Sequence, residues 1–264
     1  MNAPSPTWQV LHGDAIQLAA SLPSADLIYL DPPFFSGRKR SLRVGGPEYD
    51  DRWPGGMAEY LHFLRALLQA ATGQLRPHGV IALHLDWRAS HWGRIELERL
   101  LGPDAFVNEV IWSYRTGGLG KRWLGRKHDT IQVFAKGADY TFNALKEKSR
   151  LAHHYGFKNV VIERDELGPY TYAGLRDVWE IPALRGNQKE SVGYPTQKPL
   201  ALLDRLVRVF SNPGDVVCDL CCGSGTALVA AVLAGRRAVG VDVSEAAVSL
   251  ARSRLSHAGA GDIL

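Results

Sequence analysis

Asp31-Pro32-Pro33-Phe34 is the segment whose residue types say most about chemistry. Each proline fixes φ and removes a backbone donor, so the carbonyls at and before Pro32 are stiffly aimed. A carboxylate and an aimed carbonyl make two acceptors, which suits an amino group carrying two hydrogens. Phe34 adds a ring face on which a flat heterocycle can stack. An Asp-Pro-Pro turn is ordinary by itself. Its place is not, because the apolar run over residues 25–30 reads as a buried parallel strand ending at Asp31. Open α/β sheets bind ligands at the carboxyl ends of their strands.

A second constellation is Asp219-Leu220-Cys221-Cys222-Gly223-Ser224-Gly225-Thr226. It follows one strand pattern and opens a helix, the setting of a nucleotide-binding turn. Gly223 and Gly225 allow a tight turn and close approach of backbone to ligand. Leu228 stands where a dinucleotide fingerprint has its third glycine, which argues against a pyrophosphate cofactor. Asp242 ends the next strand, where a carboxylate can accept both hydrogens of a ribose diol. Together these features fit an adenosyl ligand.

Basic residues gather in two places. Arg38, Lys39, Arg40 and Arg43 follow the proline motif, and Arg115, Lys121, Arg122, Arg126 and Lys127 share a segment with Trp112, Tyr114 and Trp123. Cations interleaved with aromatics suit a surface that tracks phosphates and stacks bases. A solvated charged face is the plainer reading of either cluster alone. The net charge of +4 allows a polyanionic partner without requiring one.

The elements that must hold these residues follow from periodicity. Strands are expected at residues 8–12, 25–30, 80–85, 109–114, 130–135, 216–220 and 238–241, and helices at 15–21, 58–74, 94–101, 200–210 and 226–234. Pro77-His78-Gly79 reads as the stop after the second helix, and residues 36–56 as a loop. Regular alternation fails over residues 140–191, which are expected to form an insertion. No apolar run reaches the ~20 residues of a membrane span. Residues 1–9 show no secretory signal, so a cytoplasmic location is expected and no membrane partner. Cys218, Cys221 and Cys222 are too close together for a disulfide framework and lack further ligands for zinc, so no metal site is expected.

In their order, these motifs resemble the β group of DNA amino-methyltransferases, the N6-adenine/N4-cytosine family. There the proline motif precedes the Gly-rich motif. Gly13-Asp14, Pro195-Thr196-Gln197-Lys198-Pro199 and Thr226 match further family elements, and the likeness runs from about residue 10 to 253. It departs at Tyr194, where His is usual, at Leu220-Cys221, and at Phe34, where Tyr is commoner.

The resemblance implies an α/β, Rossmann-like, S-adenosylmethionine-dependent methyltransferase fold in circularly permuted order. Residues 1–139 would form the catalytic half, 140–191 an inserted target-recognition region, and 192–264 the cofactor-binding half. Asp31, Pro32, Pro33 and Phe34 would be catalytic. S-adenosylmethionine would be held by Asp14, Ala15, Asp31, Thr196, Gln197, Lys198, Asp219, Leu220, Cys221, Gly223, Ser224, Gly225, Thr226, Asp242 and Val243. Within the family, Asp14 lies near adenine and the 195–199 segment near the methionine end.

The substrate implied is double-stranded DNA, with a base flipped out and methylated directly on its exocyclic amine. Adenine N6 is favoured by Asp before Pro-Pro, and cytosine N4 is the alternative. The cysteines lie on the cofactor motif, which argues against a thiolate attacking a cytosine ring carbon. A methyltransferase for protein glutamine or RNA would have Asn first and the reverse motif order. A silent DNA- or cofactor-binding protein would not need every functional position filled. A homodimer and a cognate restriction endonuclease are partners that relatives of this order often have.

Overall fold

β2 (Ala25–Leu30) shows how the sequence makes the sheet. Leu27 and Tyr29 point into one core, Ile28 and Leu30 into the other, and all four are buried. A strand covered on both faces reads as a near-continuous apolar run, as Leu27 to Leu30 does here after Asp26. A computed structural model supplies the fold and describes residues 7–41, 48–115, 120–150 and 161–259.

In chain order, β1 (Trp8–His12) and α1 (Ala15–Leu18) precede β2, and β3 (Lys39–Ser41) and β4 (Glu48–Asp50) form a hairpin after it. There follow α2 (Gly56–Gln74), β5 (Leu75–Leu85), α3 (Ser90–Leu101), β6 (Phe106–Ser113) and β7 (His128–Ala135). β8 (Lys146–Arg150), β9 (Glu163–Asp165) and β10 (Gly168–Gly174) make a separate three-stranded sheet, and β11 (Val178–Glu180) comes next. The chain closes with α4 (Leu200–Phe210), β12 (Val216–Asp219), α5 (Thr226–Leu233), β13 (Arg237–Asp242) and α6 (Glu245–Gly259).

The main sheet has eight strands in the order β1-β13-β12-β2-β5-β7-β6-β11. The run from β1 to β5 is parallel, and β7 enters antiparallel to both β5 and β6. One edge of the sheet therefore carries the ends of β1, β2, β5, β12 and β13 together with the start of β7. The helices α4, α5 and α6 pack on one face and α1, α2 and α3 on the other. This is a doubly covered α/β sheet.

Residues 36–56, expected as a loop, carry the β3–β4 hairpin, and two further expectations change. Pro77, His78 and Gly79 do not stop the second helix; they lie in β5, which begins at Leu75. There the ladder slips between Ala25↔Leu75 and Leu27↔Val80, leaving a bulge. Buried Asp26 holds it, accepting from Arg76 at 3.1 Å, His78 at 3.0 Å and the Val216 amide at 2.8 Å. Gly79 must lack a side chain, since a Cβ would lie 2.9 Å from the Ala25 carbonyl oxygen.

The second change concerns residues 140–191. Only β8, β9 and β10 stand apart from the main sheet. β11 rejoins it in parallel with β6, and Trp179 and Ile181 enter the core. The aromatic Tyr170 and Tyr172 obscured this division, because they pack on the small sheet while Trp179 packs on the large one.

Candidate functional site

The proline turn leaves β2 as a partition between two cavities. Asp31 and Pro33 line a cavity of about 430 Å³, and Phe34 lines one of about 1040 Å³ on the other side. Pro33 is fixed by Tyr60, whose hydroxyl donates to its carbonyl oxygen at 2.9 Å. Phe35 then takes φ 61°, a left-handed conformation that costs a non-glycine residue of order 1–3 kcal/mol. Buried Asp51 holds it there. Its carboxylate accepts from the amides of Phe35 at 3.0 Å and Ser36 at 2.6 Å and from Trp53 Nε1 at 2.9 Å.

Asp31 is the best-defined chemical group of the turn. Its Oδ2 accepts from the ammonium of Lys198, which is buried and also lies 5.1 Å from the Phe34 ring centre. Its Oδ1 is buried without a partner. A buried carboxylate oxygen left unsatisfied costs about 1–3 kcal/mol unless a ligand supplies a donor. The site is thus short of one hydrogen-bond donor, at Asp31 Oδ1.

The smaller cavity is shaped by the loop after β12. Gly223 and Gly225 take φ 49° and 77°, and the Gly225 amide closes a turn on the Cys222 carbonyl at 2.7 Å. A Cβ on Gly225 would lie 2.8 Å from that of Ala251 on α6, so glycine is required twice over. Asp242 accepts from the Gly223 amide at 2.7 Å and the Ser244 amide at 2.8 Å, which aims its carboxylate across the loop. Burial raises the Asp242 carboxyl above its ordinary value. Burial also raises Asp219, helped by the neighbouring charges of Asp31 and Asp242. A pocket walled by buried Asp219 and half-buried Asp31 and Asp242 suits a ligand that brings hydroxyls and positive charge.

Every cofactor position expected from the sequence lines this cavity except Gly225, which shapes the loop from behind. Asp14 also caps α1, accepting from the Ile16 amide at 2.8 Å. Lys198, Thr196, Gln197 and Tyr194 line both cavities and form the rest of the partition. Thr196 takes φ 67° there, a second non-glycine residue in the left-handed region. The three cysteines are held as thiols, each raised well above the ordinary range by burial first. No group of three or more His, Cys, Asp or Glu residues is arranged to hold a metal among the described residues.

Several wall residues escaped the sequence reading. Trp53 and, from α2, Phe63 and Leu67 line the smaller cavity. Arg254 on α6 lies under the Gly-rich loop and donates to the Ser224 carbonyl at 2.7 Å and to Thr226 Oγ1 at 3.0 Å. Nothing in its local sequence marks it. The larger cavity is walled by Asp86 after β5, Trp112 and Tyr114 of β6 and its exit, Asp129 of β7, and Arg185. Trp112 both packs and walls, since it is buried and donates to the Ile181 carbonyl at 2.8 Å.

None of the described basic residues of the two clusters lines either of these cavities. Arg38 and Lys39 are exposed, Arg40 pairs through its backbone with Tyr49, and Arg43 lies outside the described residues. Arg115, Lys121, Arg122 and Arg126 are exposed. The Arg126 guanidinium covers exposed Trp87 at 3.8 Å, and Lys127 donates to the Arg115 carbonyl at 3.4 Å.

Comparisons with known proteins bear on the family and the fold. A family model described as DNA methylase, of the N6/N4 type, matches residues 25–253. The DNA adenine methyltransferase YhdJ of Escherichia coli (strain K12) is 26% identical over 256 residues, covering 94% of this chain and 83% of that protein. The Type II methyltransferase M.HpaI of Haemophilus parainfluenzae is 30% identical over 234 residues, covering 88% and 68%. The PvuII DNA methyltransferase, cytosine-N4-specific, shares the fold at a TM-score of 0.66 and 15% identity, covering 94% and 86%.

Proposed function

The chain belongs to the N6/N4 DNA methylase family, and from that membership we propose that it methylates adenine at N6. Its activity is S-adenosylmethionine-dependent DNA methylation. The observation that carries the site assignment is Asp31, with Oδ2 engaged by Lys198 and Oδ1 buried without a partner.

The residues of the smaller cavity fit the methyl donor. Its volume is that of a small-ligand pocket. Asp14 and Asp242 offer acceptors for polar hydrogens, the turn from Gly223 to Thr226 offers backbone, and Thr196, Gln197 and Lys198 stand at the opposite wall. When bound, S-adenosylmethionine supplies an activated methyl group carried on a sulfonium.

The chain's own residues then act on the base. Phe34, Trp112 and Tyr114 give the larger cavity flat faces for a flipped ring. Asp31 Oδ1 accepts one amine hydrogen and the Pro32 carbonyl the other, drawing the nitrogen lone pair out of conjugation. Both acceptors are fixed before the base arrives, so they favour positive charge as it develops on nitrogen.

Identity with a DNA adenine methyltransferase supports adenine, and the cytosine-N4 fold relative keeps cytosine N4 as the second reading. Residues 1–139 and 192–264 then serve as the catalytic and cofactor halves, and target choice falls to β8, β9, β10 and the loops at 36–56 and 116–127. The DNA is read as double-stranded, with the basic residues of the two clusters as its phosphate contacts. Identity with a Type II methyltransferase supports a restriction endonuclease acting on the same site. A homodimer and a cytoplasmic location complete the reading. Among the described residues no helix is long and apolar enough to cross a membrane.

Digesting methylated DNA to nucleosides and identifying the product by mass tests the base. N6-methyladenine is expected, and N4-methylcytosine alone would overturn the adenine reading. Asp31→Ala tests the site: cofactor binding should persist while transfer is lost.

A further inference from the structure

His84 is wholly buried, has no part in the mechanism above, and touches both cavities' walls. Its Nδ1 lies 2.7 Å from the Tyr29 hydroxyl, and its Nε2 lies 3.4 Å from Asp129 Oδ2. Its ring meets Phe34 at 5.9 Å and Trp112 edge-on at 5.5 Å. Tyr29 lines the cofactor cavity, whereas Phe34, Trp112 and Asp129 line the larger one.

The chain of bonds has a direction. Burial, with the charges of Asp31, Asp219 and Asp129, keeps the Tyr29 phenol protonated, and its hydroxyl shares one hydrogen bond with Nδ1. Where Tyr29 donates to Nδ1, the tautomer it selects has its N–H on Nε2, toward Asp129. Tyr114 donates to the other carboxylate oxygen at 3.1 Å. Burial works against charge on Asp129, but His84, Lys198 and Tyr114 outweigh it, and the carboxyl stays below its ordinary value.

We propose that Asp129 is a second carboxylate acting on the base, a fixed negative charge facing the amine as methylation makes it cationic, and that His84 is the positioning residue that aims it. The proposal rests on the reading that the larger cavity receives the base. Methylation gives the nitrogen a positive charge until one of its protons leaves to water. A preorganised anion in a partly dry cavity lowers the cost of that charge far more than one in solvent. His84 does no chemistry on the base. Its two nitrogens tie the anion's aim to Tyr29 at the cofactor wall, so the two cavities share one rigid backing.

The test is single-turnover transfer of labelled methyl from S-adenosylmethionine to unmethylated genomic DNA, with cofactor affinity measured by calorimetry and folding by thermal melting. Asp129→Asn keeps the shape and removes the charge; its oxygen can still accept from His84 Nε2, while the Tyr114 hydroxyl must turn to accept from the amide instead of donating. Its transfer rate should fall roughly 100-fold, the size of effect of one lost preorganised group, with affinity and melting unchanged. His84→Gln should slow transfer less, and combined with Asp129→Asn should slow it no further than Asp129→Asn alone. Tyr29→Phe, the mildest cut, should lower the rate several-fold with the cofactor still bound.

Wild-type transfer by Asp129→Asn, or losses that simply multiply in the double variant, would overturn the proposal. If Asp129→Asn does not fold, normal transfer by Tyr29→Phe overturns it. Asp31→Ala, run in parallel, separates the two readings. If Asp31→Ala is inactive while Asp129→Asn is normal, only the role of Asp129 fails. If both are normal, the base-cavity reading fails with it.

Discussion

The two cavities flanking the Asp31-Pro32-Pro33-Phe34 turn are made in different ways. The smaller takes its frame from backbone: a turn with Gly223 and Gly225 in left-handed conformations, amides pinned by Asp242, and strand ends meeting at one sheet edge, with Asp31, Asp219, Trp53 and Phe63 among the side chains that line it. The larger is mostly side chains delivered by β5, β6, β7 and the segment after β11, with Phe34, Trp112, Tyr114, Asp129 and Arg185 meeting from distant parts of the chain. A cavity made of turns demands particular residues at a few positions and tolerates change at the rest. That explains how Leu220 and Cys221 can depart from the family pattern without spoiling the loop. A cavity made of side chains can be re-cut one residue at a time, which suits the part of the enzyme that must distinguish bases.

Lys198 belongs to both cavities, so Lys198→Met should break the contrast with the largest effect. It strands the buried Asp31 carboxylate, and removing one partner of a buried pair costs about 3–5 kcal/mol. Denaturant unfolding should show that loss, and both cofactor affinity and transfer should fall together. Arg254→Met should sharpen the contrast with a smaller effect. It leaves the Ser224 carbonyl and Thr226 hydroxyl without their clamp, a cost of about 1–3 kcal/mol. The cofactor KM should rise while kcat at saturating cofactor stays near the wild-type value, because the larger cavity is untouched.

The smallest change, Asp219→Asn, should stabilise the cofactor-free protein. Asp219 is raised by burial and by Asp31 and Asp242, so the folded state holds its proton at pH values where the unfolded chain releases it. Folding stability therefore falls as pH rises through the ordinary carboxyl range, and the variant escapes that loss. Its melting temperature should exceed the wild type's by a margin that grows from about pH 4 to about pH 7. A margin independent of pH would show that Asp219 is not strained by its charge.

The sequence carried whatever repeats at short range. The bounds expected for β1, β2 and α4, residues 8–12, 25–30 and 200–210, coincide with those observed, because each has a clean apolar period. The Gly-rich loop and the proline turn were legible for the same reason, since φ preferences are local. Pro77-His78-Gly79 misled because a local turn signal there serves a bulge, held by Asp26 some fifty residues earlier.

What only the tertiary structure decided are the contacts that cross the sheet. It gave Lys198 to Asp31, set Arg254 under the Gly-rich loop, and placed His84 between Tyr29 and Asp129. Those pairings depend on strand order and register. Neighbours in this sheet come from opposite ends of the chain, and no local preference of Lys, Arg or His can encode which partner arrives.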